Sequence, residues 1–132
     1  MKDKNIVMLE GLVGNDLKRG TASNGKKFIT FSLCINSYMR EIHDSTESEH
    51  PMAYLRVFIY DQRMLRYLND TNIKHNDRVS IFGRLHSKLR EVGKERIVQM
   101  NIVVRDISLI KKNANDDGIN TEVPDEDIED IE

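Results

Sequence analysis

Four side chains at every second position of one short run could do chemistry together. Residues 52–61 read M-A-Y-L-R-V-F-I-Y-D, with Tyr54, Arg56, Phe58 and Tyr60 on alternate positions. Alternate side chains of a strand share a face. Three aromatic rings and one guanidinium therefore form a ladder, while Leu55, Val57 and Ile59 make an apolar face behind it. Flat rings stack on nucleobases of any identity, and a guanidinium neutralises phosphate or itself stacks. Aromatic residues also favour strands for packing reasons alone. Both readings of the ladder stand at this point.

Other residues extend the same chemistry. Phe28, Tyr38 and Phe82 are further candidate rings, and Lys18, Arg19, Lys26, Lys27, Arg84, Lys88 and Lys94 join Arg56 as candidate cations. Taken singly, each cation is a solubilising surface charge. Together they would release counterions from a bound single strand, with a salt slope of roughly −0.7 per phosphate neutralised. Tyr67 and Phe31 fall on apolar faces and read as packing residues. The four histidines (43, 50, 75 and 86) are scattered, and no catalytic triad, paired-carboxylate, metal-ligand or phosphate-cradling pattern is present. His86 reads as an exposed bystander. Cys34 is the only cysteine, so no intrachain disulfide forms, and it reads as a small buried hydrophobe. The expectation is a binding protein rather than an enzyme, with no metal and no cofactor.

The elements that must hold these residues are short strands. Residues 5–13 form a strand candidate in which Gly11 and Gly14 allow a bend or a close backbone approach, followed by a turn at Gly14-Asn15-Asp16. Lys18-Arg19-Gly20 and residues 23–27 read as a basic loop, with Asn24-Gly25 as a turn signal. Residues 27–36 alternate cleanly, with Ile29, Phe31, Leu33 and Ile35 on one face. A polar, locally acidic connection fills 37–51. After the 54–60 strand, Asp61 caps a short helix over 62–69 whose apolar side is Met64, Leu65 and Leu68, and 69–76 is a loop. A fourth strand covers 77–89, with Val79, Ile81 and Leu85 inward and Ser80, Phe82, Arg84, His86 and Lys88 outward. Residues 91–95 are a hairpin tip, and 96–110 are a long last strand. The order strand, strand, strand, helix, strand, strand predicts an all-β, five-stranded OB-fold barrel, with the helix between strands three and four plugging one end.

Charge divides the chain where this pattern stops. Residues 1–112 hold all 20 Lys and Arg against 13 Asp and Glu, a net +7, whereas 113–132 hold nine acids and no Lys or Arg, a net −9. The reading is one basic domain over 1–112 and a disordered acidic tail over 113–132. Such a tail is a solubiliser, a competitor for the domain's own polyanion, or a docking segment in which Ile128 and Ile131 sit among acids. The N-terminal apolar run, broken by Glu10, is too short for a signal peptide or membrane span. We therefore expect a cytoplasmic, nucleoid-associated protein with no membrane partner.

With these elements in order, the chain resembles the bacterial-type single-stranded DNA-binding proteins. The resemblance is carried by Val7 to Asp16 (V-M-L-E-G-L-V-G-N-D) and by Asn24-Gly25 with Phe31-Ser32-Leu33 and Asn36-Ser37-Tyr38. It continues through Tyr54 to Tyr60, Tyr67-Leu68, Val79 to Leu85 (V-S-I-F-G-R-L) and Asp106 to Ile110 (D-I-S-L-I). It spans about residues 5–110. It implies sequence-tolerant binding of single-stranded DNA in replication, recombination and repair, and a homotetramer around which the strand wraps. By position, Tyr54 stands for a family Trp, Tyr60 for a Phe and Arg56 for an Arg, and Tyr38 lies beside another aromatic position. The resemblance also implies replication and repair partners docking on the tail, here Asp127, Ile128, Glu129, Asp130, Ile131 and Glu132. The chain departs from the pattern in having no Trp, in its acidic 41–50 loop, in a hairpin at 89–96 that looks short, and in ending on Ile131-Glu132 rather than Phe. A primosome-type OB accessory protein and an RNA-binding OB module are the alternatives that share this fold.

Overall fold

The protein, described by a computed structural model over residues 2–39 and 48–113, is a closed barrel with one helix. Its elements are β1 (Val7–Val13), β2 (Lys18–Thr21), β3 (Lys27–Met39), β4 (Ser48–Ile59), α1 (Gln62–Thr71), β5 (Arg78–Val92) and β6 (Glu95–Lys111). The sheet runs β1-β5-β6-β4-β3-β2, and a β1–β3 pairing closes it. All pairs are antiparallel except β4–β6.

Closure depends on how the first strand is broken. β1 pairs with β5 through Leu12 and reaches β3 at Leu12↔Cys34 and Val13↔Leu33. The handover is tight: a Cβ on Gly11 would lie 2.4 Å from the Cys34 carbonyl oxygen, so only glycine fits there without displacing a backbone. The chain then loops out and returns as β2, which pairs with β3 from Lys18↔Thr30 to Thr21↔Lys27. At the break, Gly14 N–H donates to the Ser32 carbonyl at 2.7 Å, and Ser32 N–H donates to Asn15 Oδ1 at 2.8 Å. The Asn15 side chain thus supplies the acceptor that the interrupted strand lacks. The basic segment read as a loop at Lys18-Arg19-Gly20 is therefore a short strand. With no apolar alternation of its own, it takes its conformation from β3.

The core is filled from the inward faces: Val13, Ile29, Phe31, Leu33, Val57, Ile59, Val79, Ile81, Ile102, Val104 and Ile107 are buried together with Leu65 and Leu68 of α1. Asp61 caps the helix by accepting Arg63 N–H at 2.8 Å, and Asn72 ends it in the left-handed conformation at φ 53°. Tyr67 packs against this core and its hydroxyl accepts Leu109 N–H at 2.8 Å, a packing role as its apolar face predicts. The helix extends two residues past the expected 69, and β3 and β4 reach further into the 37–51 connection than the sequence suggested. Residues 40–47, including His43, lie outside the described residues.

β5 and β6 pair from Arg78↔Lys111 out to Val92↔Glu95, with a tight turn at Gly93-Lys94. Their register shifts twice, first between Arg78↔Lys111 and Val79↔Leu109, where Ile110 is the extra residue, and again further along. Phe82 faces Asp106 but Gly83 faces Val104, so Arg105 is an extra, bulged residue on β6.

Candidate nucleic-acid interface

On β4 the period-two expectation holds for direction. Leu55, Val57 and Ile59 join the core, and the ladder residues face outward. Outward is not uniformly exposed, however. Tyr54 is 43% exposed, opposite Cys34 on β3, whereas Arg56 is 8% and Phe58 1% exposed. Phe58 packs with Phe28 and Ala22 in a second apolar cluster on the outside of the barrel, backed by Tyr60 and Val103. The Phe28 ring can lie there because residue 20 has no side chain: a Cβ on Gly20 would sit 2.4 Å from its edge. Tyr60 stacks on Phe58 with ring centres 6.3 Å apart and planes at 11°, and tilts against Phe28 at 5.5 Å. Phe28 and Phe58, expected among the stacking rings, are thus buried supports in this arrangement. Tyr54 and the half-buried Tyr60 are the rings presented to solvent.

Burial pushes the Cys34 thiol above its ordinary value, opposed by a hydrogen bond with Tyr54. The thiol therefore stays protonated at neutral pH and is inert, as its position suggested.

Two grooves flank the ladder. One, of about 500 Å³, lies between the β2–β3 edge and α1 and brings together Arg19, Lys27, Phe28, Gln62, Arg66 and Asn69 over a floor of Ile29 and Leu65. Arg19 donates to Asn69 Oδ1, which ties β2 to the helix and fixes that guanidinium. Arg66 was not among the sequence candidates. Its signal was available, since Gln62, Arg66 and Asn69 fall at i, i+4 and i+7 on one helix face. The second groove, of about 340 Å³, is lined by Phe82 and Arg84 of β5 with Ile6, Val103 and Arg105.

The β5–β6 ribbon has two unlike faces. Arg84, His86, Lys88 and Arg90 stand opposite Val103, Asn101, Gln99 and Ile97, and Val103 places this side on the outer face with Phe58. The other side carries Leu85, Leu89, Val98 and Met100, 39–61% exposed. Leu85 was expected in the core; it points that way but lies beyond the barrel's end. His86 is half-buried rather than an exposed bystander, and its Nδ1 is fully covered. Lys26, Lys27, Arg19 and Arg84 are exposed, Lys18 and Lys88 are half-buried, and Lys94 is at the hairpin tip. Tyr38 is in β3, but its side chain lies outside the described residues, as do Asp127 to Glu132.

The acidic tail leaves the barrel from a pinned root. Asp77, 2% exposed, accepts Lys74 N–H at 2.9 Å, Asn113 N–H at 2.8 Å and Lys112 Nζ at 3.0 Å. Burial raises its carboxyl, but those backbone donors and the Lys112 ammonium outweigh it and hold the group below the usual carboxylate range. Among the described residues no three His, Cys, Asp or Glu side chains converge as a metal site, and no helix is long and apolar enough to cross a membrane.

Comparison with known proteins agrees with this geometry. The model of the family described as "Single-strand binding protein family" matches residues 4–110. A search of curated protein sequences gives no match. The fold is similar to that of a Plasmodium falciparum SSB solved in complex with ssDNA, at TM-score 0.69 and 24% identity over 86% of this chain and 98% of that one. It is also similar to a mitochondrial single-stranded DNA binding protein from S. cerevisiae, at TM-score 0.65 and 14% identity over 85% and 100%.

Proposed function

The chain belongs to the single-strand binding protein family and binds single-stranded DNA; we propose that it does so by stacking bases on Tyr54 and Tyr60 while Arg56 and the basic rims hold phosphates. The observation that carries this reading is the outer face of β4. An exposed ring and a supported ring bracket a guanidinium there, with cationic grooves on either side. Stacking on flat rings does not select a base by shape, which suits coverage of any sequence. No reacting group is needed, and we assign none.

The apolar side of the ribbon supports the homotetramer that family membership implies. Leu85, Leu89, Val98 and Met100 continue the barrel's core face beyond its end, and a second copy covers them in our reading. The tail, at net −9, competes with DNA for the basic face or docks replication and repair proteins. The central test is titration of single-stranded against duplex DNA over a salt series, read by tyrosine fluorescence because the chain has no Trp. Preference for the single strand, with affinity falling linearly in log salt, is expected; equal affinity for duplex refutes the reading. Light scattering of Leu89→Lys should show a smaller assembly than the wild-type chain.

A further inference from the structure

Three buried nitrogens without partners line up across three adjacent strands of the outer face. They are Arg56 Nη1 on β4, Asn101 Nδ2 on β6 and His86 Nδ1 on β5. Asn101 and His86 are direct cross-strand partners, and Arg56 and Asn101 each precede the paired residues Val57 and Ile102. Arg56 is 8% exposed and Asn101 0%. Covering such groups and leaving them unpaired forfeits their hydration with no return, so native structures rarely do it without cause.

The row is also oriented. Arg90 Nη1 donates to Gln99 Oε1 at 3.3 Å, and Gln99 Nε2 donates to Asn101 Oδ1 at 3.3 Å. This chain uses the acceptor of Asn101 and leaves its Nδ2 donor without a partner. The site therefore offers donors from a permanently charged Arg and a fixed amide. A group that satisfies it must be rich in acceptors and is best anionic. Adenine and cytosine edges each present an amino donor, which fits poorly against a row of donors. A phosphodiester presents only acceptors and a negative charge.

Building on the reading above, we propose that Arg56, Asn101 and His86 form a seat for one phosphodiester of the bound strand, between the bases stacked on Tyr54 and Tyr60; the row is covered in the free chain, so the strand reaches it only by displacing the side chains over it. Asn101 and His86 then act as DNA-contacting residues, and the Arg90–Gln99 chain positions Asn101.

The test uses the full chain with oligo-dT and with the same oligomer carrying uncharged methylphosphonate linkages. Asn101→Leu keeps volume and removes the donor; Asn101→Asp places negative charge on the row. Asn101→Leu should weaken oligo-dT three- to tenfold and Asn101→Asp more than tenfold, with far smaller effects on the methylphosphonate oligomer. Melting temperature is read in parallel. If Asn101 is only a tolerated core amide, Asn101→Leu keeps or raises the melting temperature and leaves binding unchanged, which overturns the proposal. Should Asn101→Asp not fold, His86→Leu replaces it, with a threefold or greater loss on oligo-dT expected. Equal losses on both oligomers, seen with thymine and guanine oligomers but not adenine, would assign the row to a base edge and also overturn it. A wild-type chain that binds no single strand would instead refute the functional reading itself.

Discussion

The sharpest test of the stacking ladder lies in how its rings differ in exposure. Tyr54 is 43% exposed and belongs to no apolar cluster, whereas Phe58 is 1% exposed beneath Tyr60. Tyr54→Ala removes a stacking face at a solvent-exposed strand position, which costs stability about 1 kcal/mol or less. The base it held loses roughly 1–3 kcal/mol, a Kd increase of about 5- to 150-fold. Phe58→Ala should do the reverse. It empties a packed site at about 3–5 kcal/mol of stability and weakens binding only through the displaced Tyr60. The two assays are tyrosine fluorescence titration with oligo-dT and thermal unfolding of each free variant. Weak binding with a preserved melting temperature is expected for Tyr54→Ala, and a lowered melting temperature for Phe58→Ala. Unchanged oligo-dT affinity in Tyr54→Ala refutes the ladder. A Phe58→Ala variant that melts like wild type but binds poorly would show that Phe58 is itself a contact and that its burial is not kept in the complex.

Three further perturbations probe the surroundings of that face. Arg66→Ala should flatten the salt slope by about 0.7, as expected for one lost phosphate contact. Arg63→Ala, on the same helix but paired with Asp61 at 3.3 Å, should leave it unchanged; equal slopes would remove the α1 groove from the DNA path. Asp77→Asn should cost about 2 kcal/mol near neutral pH by weakening charge-assisted hydrogen bonds, measured by urea unfolding. Because the folded-state carboxyl is held below its ordinary value, its stabilisation is complete above about pH 4 and is lost as pH falls through the lowered folded value. The variant and wild type should therefore converge in acid, and a constant gap down to pH 2 would contradict the assignment. Removing residues 113–132 should leave oligo-dT binding equal or tighter at low salt, since a −9 segment no longer competes; weaker binding would reject self-competition.

Much of this arrangement was legible in period-two patterns, and the exceptions share a cause. The inward faces of β3 and β4, the cap at Asp61, and Gly11 as a point of close approach could be read locally, because each depends on residues near it in sequence. Whether an outward ring is exposed could not. Phe28 and Phe58 point out of the barrel yet cover each other, through a β3–β4 pairing of distant segments and a glycine on β2. β2 itself has no pattern to read and exists because β3 offers it an edge. Asn101 was hidden by parity. Counting back by twos from the buried Ile107 assigns it to the core face, and only the extra residue at Arg105 turns it outward.

That bulge yields a paired deletion whose outcome depends on a single residue. Inward positions on β6 are Leu109 and Ile107 on one side of Arg105, then Val104 and Ile102 on the other. Deleting Arg105 removes this extra residue and leaves regular alternation from Leu109 back to Asn101, with Val104 and Ile102 still inward and Val103 and Asn101 still outward. What is lost is the local bend, so this variant should retain a cooperative transition. Deleting Val104 instead also restores regular alternation, but it carries Arg105 to the inward position. Burying that charge unpaired costs several kcal/mol, and the loss of a buried Val adds about 1.5–3 kcal/mol. Their sum rivals the 5–15 kcal/mol that typically holds a domain together, so the second variant should show no cooperative unfolding by circular dichroism. A folded second variant would refute the register. If both deletions unfold alike, the bend of β6 is itself indispensable, and the bulge serves barrel closure before it serves the placement of Asn101.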